Sequence, residues 1–298
     1  MPSKNTPAWT GLLNLFVVYI IWGSTYLAIR FAVRDGSGFP PFMLGATRVA
    51  VAGILLISWS ALTRKRIKPT RQELITLAAS GLLLWVGGNG LVNWAEQRAD
   101  SGLAALIIAA TPIWVAMIEA ILDRRMPSLR MVGALFIGFV GIAVLSYPTL
   151  RSGVRADIGA VIGLLLAGLS WGTGSVLQSR RPVALTAQVS SGYQHLFGSL
   201  GFILMVLLLR EPLPAPTTEA WLAWGYLVIF GSLLAFTSFV RALQLLPTKI
   251  VMTYGYINPV IAVFLGWLFL REPVTPWTLG GAALVLLGVA GIFRERYR

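Results

Sequence analysis

The sequence predicts an all-α membrane protein: ten transmembrane helices in an inverted five-plus-five repeat, with both termini cytoplasmic. Three observations predict this. First, the 298 residues are 56% hydrophobic and only 12% charged, against about 25% charged in soluble domains. So much apolar surface calls for a bilayer as solvent. Second, the apolar residues fall into ten segments, each near the ~20 residues that cross ~30 Å of hydrocarbon. Third, the second half of the chain echoes the first at a nearly constant offset.

In chain order the spans cover 12–32, 41–62, 74–94, 101–122, 131–147, 157–180, 185–209, 220–243, 250–270 and 277–293. Lys4 followed by an apolar run imitates a signal peptide. The run is too long for that role and lacks a small-residue cleavage site, so it reads as a retained first helix. Turn residues punctuate the rest: Gly38-Phe39-Pro40-Pro41, Pro69, Pro127, Pro148, Pro182, Pro212-Leu213-Pro214 and Pro273. Of the 24 Lys and Arg, sixteen fall on the side holding both termini and loops 2–3, 4–5, 6–7 and 8–9. Seven fall on the other side, and Arg48 lies inside span 2. The positive-inside rule makes the richer side cytoplasmic.

An offset of 147 pairs Thr111-Pro112 with Asn258-Pro259, Gly133 with Gly280, Gly141 with Gly288, Gly45 with Gly192, and Arg48 with His195. It also pairs Ala95 with Ala242 and Gln97 with Gln244. An offset of 149 pairs Trp22-Gly23-Ser24-Thr25 with Trp171-Gly172-Thr173-Gly174. The copies are 1–150 (spans 1–5) and 151–298 (spans 6–10). Five crossings per copy is odd, so the second copy enters from the opposite face. Inverted repeats recur in secondary transporters, with the substrate site near the midplane between the halves.

Several chemistries are excluded. The net charge of +13 is spread through short interspan runs rather than one face, so no nucleic acid is expected as a partner. There is no Cys and a single His, His195, which removes thiolate and multi-His metal sites. No phosphate-binding glycine loop, Ser-His-Asp setting or carboxylate pair at shared depth is present. The expectation is no catalytic residue, no cofactor and no metal. The expected partners are a small-molecule substrate and the lipid bilayer; nothing in the sequence specifies an oligomeric state.

The candidate substrate residues are the polar and aromatic groups at mid-span. Trp22, Ser24 and Thr25 with Trp171 and Thr173 are the twin motif; Trp114, Tyr254 and Asn258 lie near the two X-Pro breaks. Helix packing through the small residues is the competing explanation for the motif. Pro112 and Pro259 each remove a helix hydrogen bond and are the candidate hinges. Charge at bilayer depth is costly and usually faces an interior with a partner, which singles out Arg48, Glu119 and His195. Arg48 and His195 either orient a substrate carboxylate or lock helices together. An Arg48–Glu119 pair is one possible lock. Asn89, Asn93, Gln178, Tyr193 and Gln194 are read first as interhelical glue. Trp9, Trp59, Trp94, Trp221, Trp224 and Trp277 at span ends read as interface belts, while Trp22, Trp85, Trp114 and Trp171 are placed to wall a pocket.

At these residues the chain resembles the drug/metabolite transporter superfamily, in its EamA branch of ten-span exporters. The resemblance runs nearly the whole length. It rests on Trp22-Gly23-Ser24, Arg48, Ala95-Glu96-Gln97, Thr111-Pro112, Asn258-Pro259 and Arg271-Glu272-Pro273-Val274-Thr275 leading to Gly280-Gly281. The first copy departs from the last pattern, with Asp123-Arg124-Arg125-Met126-Pro127 carrying its Pro later. The resemblance implies a multi-pass inner-membrane exporter of amino acids, aromatic ones included, or of related metabolites. Helices of both halves would enclose a central cavity that works by alternating access. Export of cationic drugs or nucleobase-like metabolites is the alternative within transport; an intramembrane enzyme or lipid-handling scaffold is the alternative from another class.

Overall fold

The fold is taken from a computed structural model, which describes residues 8–33, 36–96, 98, 101–151, 158–270 and 274–296. Among these residues every regular element is helical. Five spans are single rods: span 1 (Ala8–Val33), span 2 (Pro41–Leu62), span 5 (Leu129–Arg151), span 6 (Ile158–Arg180) and span 7 (Ala187–Leu209). Span 10 (Pro276–Arg296) is a sixth. The remaining four are interrupted, and they form two matching pairs.

Spans 3 and 8 each contain a wider π-type stretch. Span 3 runs Arg71–Gly81, π-type Leu82–Gly90, then Leu91–Glu96. Span 8 runs Thr218–Tyr226, π-type Leu227–Phe236, then Thr237–Leu245. Spans 4 and 9 are broken outright. Span 4 consists of Ser101–Ile108 and Thr111–Asp123; span 9 consists of Thr248–Val251 and Tyr254–Leu270. The breaks are not equivalent to the residue. In span 4 the interruption falls at Ala109-Ala110, just before Thr111-Pro112, so Pro112 takes a first-turn position where its missing N–H costs nothing. In span 9 it falls at Met252-Thr253, and Pro259 sits inside the continuing helix. The Thr253 hydroxyl, at that break, bonds the Ile250 carbonyl at 2.6 Å and the Tyr19 hydroxyl of span 1.

The packing follows the repeat. Span 2 lies along span 7, and span 5 along span 10. Span 1 packs on spans 8 and 9, as span 6 packs on spans 3 and 4. Span 2 touches span 8, as span 7 touches span 3. Exchanging 1 with 6, 2 with 7, 3 with 8, 4 with 9 and 5 with 10 maps each of these contacts onto another or onto itself. That is the contact pattern of a two-fold, self-complementary interface.

The span 5–span 10 seam is a close backbone crossing. A Cβ on Gly288 would stand 2.5 Å from the Gly138 nitrogen, and one on Gly141 would stand 2.6 Å from the Val285 nitrogen. Small residues let membrane helices approach this closely. Gly133 and Gly280, paired by the same offset, have nothing within 4 Å of an added Cβ. The outer faces of the spans carry exposed Leu, Ile and Phe, as lipid contact requires, with Trp9, Trp59, Trp221 and Trp277 exposed at span ends. Trp94 and Trp224, also at span ends, are instead engaged: Trp94 beneath the Arg98 guanidinium, Trp224 through its indole N–H to Thr47 Oγ1.

Candidate functional site

The twin motif meets itself at the centre. Gly23 and Gly172 make this possible by letting spans 1 and 6 close on the opposite repeat. A Cβ on Gly23 would stand 2.6 Å from Ile261 of span 9; one on Gly172 would stand 3.2 Å from Val115 of span 4. Trp22 and Trp171 then touch edge to face with centroids 5.6 Å apart. Trp22 also meets Tyr254 edge to face at 5.0 Å and Phe239 at 5.2 Å. Such geometries are favourable beyond the area they bury. The Trp22 indole N–H donates to the Gly231 carbonyl at 3.2 Å, inside the π-type stretch of span 8. On the other side of the pseudo-symmetry, Ser170 of span 6 donates to the Leu83 carbonyl at 2.8 Å, inside the π-type stretch of span 3. Each wide stretch therefore offers a carbonyl to a side chain of the other repeat.

Arg48 is buried and reaches across the repeats. Its Nε donates to Ser232 Oγ at 2.8 Å, and its guanidinium lies 5.4 Å from the Trp85 ring centroid. Gly231 makes room for it: a Cβ there would stand 2.9 Å from an Arg48 terminal nitrogen. No ion pair to Arg48 occurs among the described residues; Glu119 lies instead near Thr248, Lys249 and Arg180. Arg48 also lines a cavity.

That cavity has a volume of about 130 Å³, room for several waters. It is lined by Trp22, Thr25, Trp171, Tyr254 and Asn258, and by Arg48 with Trp85, Gly88, Asn89, Val92 and Asn93 of span 3. Ile29, Ala104, Ile108, Thr111, Ala167 and Gly168 complete it. Arg48 is the one charged group among these described lining residues. The cavity is off the pseudo-two-fold. The offset of 147 places Phe236, Phe239 and Val240 where Asn89, Val92 and Asn93 stand, and all three are fully buried. Bulky rings fill one half of the symmetric space and leave the other open.

Ile29, Asn93 and Ala104 carry the cavity from mid-depth toward the face of loops 1–2 and 3–4. The opposite face is bonded together by contacts both between the repeats and within the second one. Arg180 grips Asp123 with both arms at 2.7 Å, and Ser179 bonds Thr248 at 2.8 Å. Gln194 donates to Ser80 and Gln178, each at 2.7 Å. Glu73, in a capping box with Thr70, also accepts the Ala184 N–H at 2.9 Å and pairs with Arg66.

Of the residues singled out from sequence, the fold brings Trp22, Thr25, Arg48, Trp171, Tyr254 and Asn258 together around this cavity. Four others lie elsewhere. Ser24 bonds the Ile21 carbonyl and the Tyr226 hydroxyl of span 8. Thr173 bonds back to Leu169 within its own helix. Trp114 stands behind Gly168. His195 is fully buried, its Nδ1 2.7 Å from the Ser191 carbonyl and its ring between Trp85 and Phe236. Pro112 lies against Gly255, so the irregular parts of spans 4 and 9 adjoin. Asn89 and Asn93, read from sequence as glue, line the cavity beside Trp85. Of the motif residues, Gln97 and Arg271-Glu272-Pro273 lie outside the described residues. No group of three or more His, Cys, Asp or Glu placed to hold a metal occurs among the described residues.

The sequence profile of the EamA-like transporter family matches twice, over residues 9–147 and 158–294. The chain is 36% identical to the uncharacterized inner membrane transporter YedA of Escherichia coli (strain K12), over 85% of this chain and 80% of that protein. It is 30% identical to protein PecM of Dickeya dadantii, over 93% of this chain and 88% of that one. It is 24% identical to the uncharacterized transporter YoaV of Bacillus subtilis, over 93% and 94%. Among solved structures, one protein crystal structure superposes with a TM-score of 0.79 at 19% identity, covering 97% of this chain and 98% of that one. At that identity the likeness speaks for the fold alone.

Proposed function

The chain belongs to the EamA-like transporter family, and from that premise we propose that it exports amino acids, aromatic ones included, or closely related small metabolites across the inner membrane by alternating access. The relative named an inner membrane transporter supports that location. The observation that carries the substrate reading is Arg48, the one charged residue among the described lining, in a cavity also lined by the aromatic rings of Trp22, Trp171 and Tyr254. A guanidinium fork matches a carboxylate in two-pronged geometry, and ring faces and edges take an apolar or aromatic side chain. The same lining sets the positive charge of Arg48 against a cationic drug, with no carboxylate among its described residues to offset it. The cavity lies toward one face and the bonded cluster of Asp123, Arg180, Ser179 and Thr248 toward the other. This supports a cycle in which that cluster opens as the first side closes.

The test is counterflow in proteoliposomes preloaded with single amino acids from an aromatic, aliphatic and polar panel. Protein-dependent exchange of at least the aromatic members is expected. No exchange of any member overturns the substrate reading. Drug sensitivity of cells lacking the protein, with no change in amino-acid release, would favour the drug-export alternative.

A further inference from the structure

The amides of Asn89 and Asn93 line the cavity, and among the described lining polar atoms that are fully buried and unbonded there are donors and one acceptor. On the donor side stand the indole nitrogens of Trp85 and Trp171, both buried and unbonded. With them stand the terminal nitrogens of Arg48, which find no acceptor among the described residues once Nε is bound to Ser232. The fully buried acceptor is Asn258 Oδ1, unbonded on a residue only 2% exposed, and among the described residues it is the one such acceptor contributed to the lining by the second repeat. A buried acceptor without a donor is costly to keep, and such groups call for an explanation. Asn258 lines the cavity, and its terminal torsion is broad, so rotation about it is the motion that would offer the oxygen to an occupant.

The two poles belong to different repeats. Arg48 comes from span 2 and Asn258 from span 9, and both line the cavity with Trp22 and Trp171, which pack against each other. Gly23 brings span 1 within 3.3 Å of the Asn258 carbonyl, measured from an added Cβ. Asn258 thus sits at the seam where one repeat closes on the other.

Building on the amino-acid reading, we propose that Asn258 is the amine-recognising residue of the site. A transported solute bridges the repeats, its carboxylate on Arg48 and its ammonium on Asn258 Oδ1. Bridging is what couples occupancy to the switch. A solute with one pole binds one repeat and does not drive the exchange of faces. Selectivity for zwitterions then comes from the need to satisfy both halves at once, because a site built to hydrogen-bond a group discriminates strongly against analogues lacking it.

The experiment uses L-phenylalanine and 3-phenylpropanoate, its analogue without the amine, on the full chain in proteoliposomes. Wild-type protein is expected to exchange phenylalanine, and to be inhibited by 3-phenylpropanoate without exchanging it. Asn258→Leu is expected to lower phenylalanine exchange by roughly tenfold to hundredfold, the range of a lost hydrogen bond to a charged group. Inhibition by 3-phenylpropanoate should survive, which also reports an intact pocket. Asn258→Asp, whose only side-chain polar atoms are acceptors, should retain more phenylalanine exchange than Asn258→Leu. The inference is overturned if wild-type protein exchanges both compounds equally. It is also overturned if Asn258→Leu weakens both in parallel, or if Asn258→Asp falls as far as Asn258→Leu. In those cases phenylalanine still moves and the amino-acid reading stands. Absence of any amino-acid exchange by wild-type protein removes that reading, and this inference with it.

Discussion

Trp22 and Trp171 occupy corresponding positions in the two repeats and meet edge to face with centroids 5.6 Å apart, but they are not equivalent. Trp22 donates its indole N–H to Gly231, whereas the Trp171 indole nitrogen is buried without a partner. The repeat supplies the pair, and the surrounding helices make them different.

That difference predicts how substitutions divide. Trp22→Phe removes a hydrogen bond and leaves the Gly231 carbonyl to be satisfied otherwise, so it should cost about 1 kcal/mol of stability. Trp171→Phe loses no bond and should cost less. Thermal unfolding in detergent measures both. Trp22→Ala and Trp171→Ala should each impair exchange in proteoliposomes while membrane insertion stays intact. A fall in expression alone would assign the stretch to packing.

Arg48 and His195 are paired by the repeat, but only Arg48 lines the cavity. Arg48→Lys keeps the charge but loses the fork and the bond from Nε to Ser232, and these geometries are not interchangeable. It should reduce counterflow of carboxylate-bearing solutes by tenfold or more, on the order expected for a charged hydrogen bond. His195→Gln should lower stability and leave the relative rates across an amino-acid panel unchanged. A changed order of preference in the His195 variant would place that residue at the substrate.

The Arg180–Asp123 pair bridges spans 6 and 4 at the bonded face, with both side chains substantially exposed. Exposed pairs contribute little to folding, so Asp123→Asn should leave the unfolding midpoint nearly unchanged. It should instead raise access to the cavity from that face. The chain has no Cys, so Ala167→Cys supplies a unique reporter on the cavity wall. Membrane-impermeant maleimide applied from the side of loop 6–7 should label it faster in the Asp123→Asn background. Equal labelling rates would remove the pair from gating.

The glycine pairs of spans 5 and 10 predict opposite outcomes. Gly288→Ala puts a methyl 2.5 Å from the Gly138 nitrogen and should destabilise by about 1–3 kcal/mol, as overpacking does. Gly280→Ala meets nothing within 4 Å and should stabilise its helix by roughly 0.5–1 kcal/mol. Unfolding in mixed micelles compares them directly.

The sequence by itself determined the ten spans and the five-plus-five repeat. Span length and apolar content follow from bilayer thickness, and the repeat is written in residue identities. It also determined that the twin Trp-Gly motif, Arg48 and the Asn-Pro of span 9 belong to the interior, because polar groups at bilayer depth have few other places to go. Tertiary structure decided which of them share a cavity. Ser24 and Thr173 follow the motif, yet a helix turns by about 100° per residue, so adjacent motif residues face different neighbours. Spacing along one helix does not say which neighbour each face meets. The side on which the cavity lies was likewise outside the repeat's reach. It depends on Phe236 and Phe239 filling the space that Asn89 and Val92 leave open in the other half, a contrast visible only once both halves are packed together.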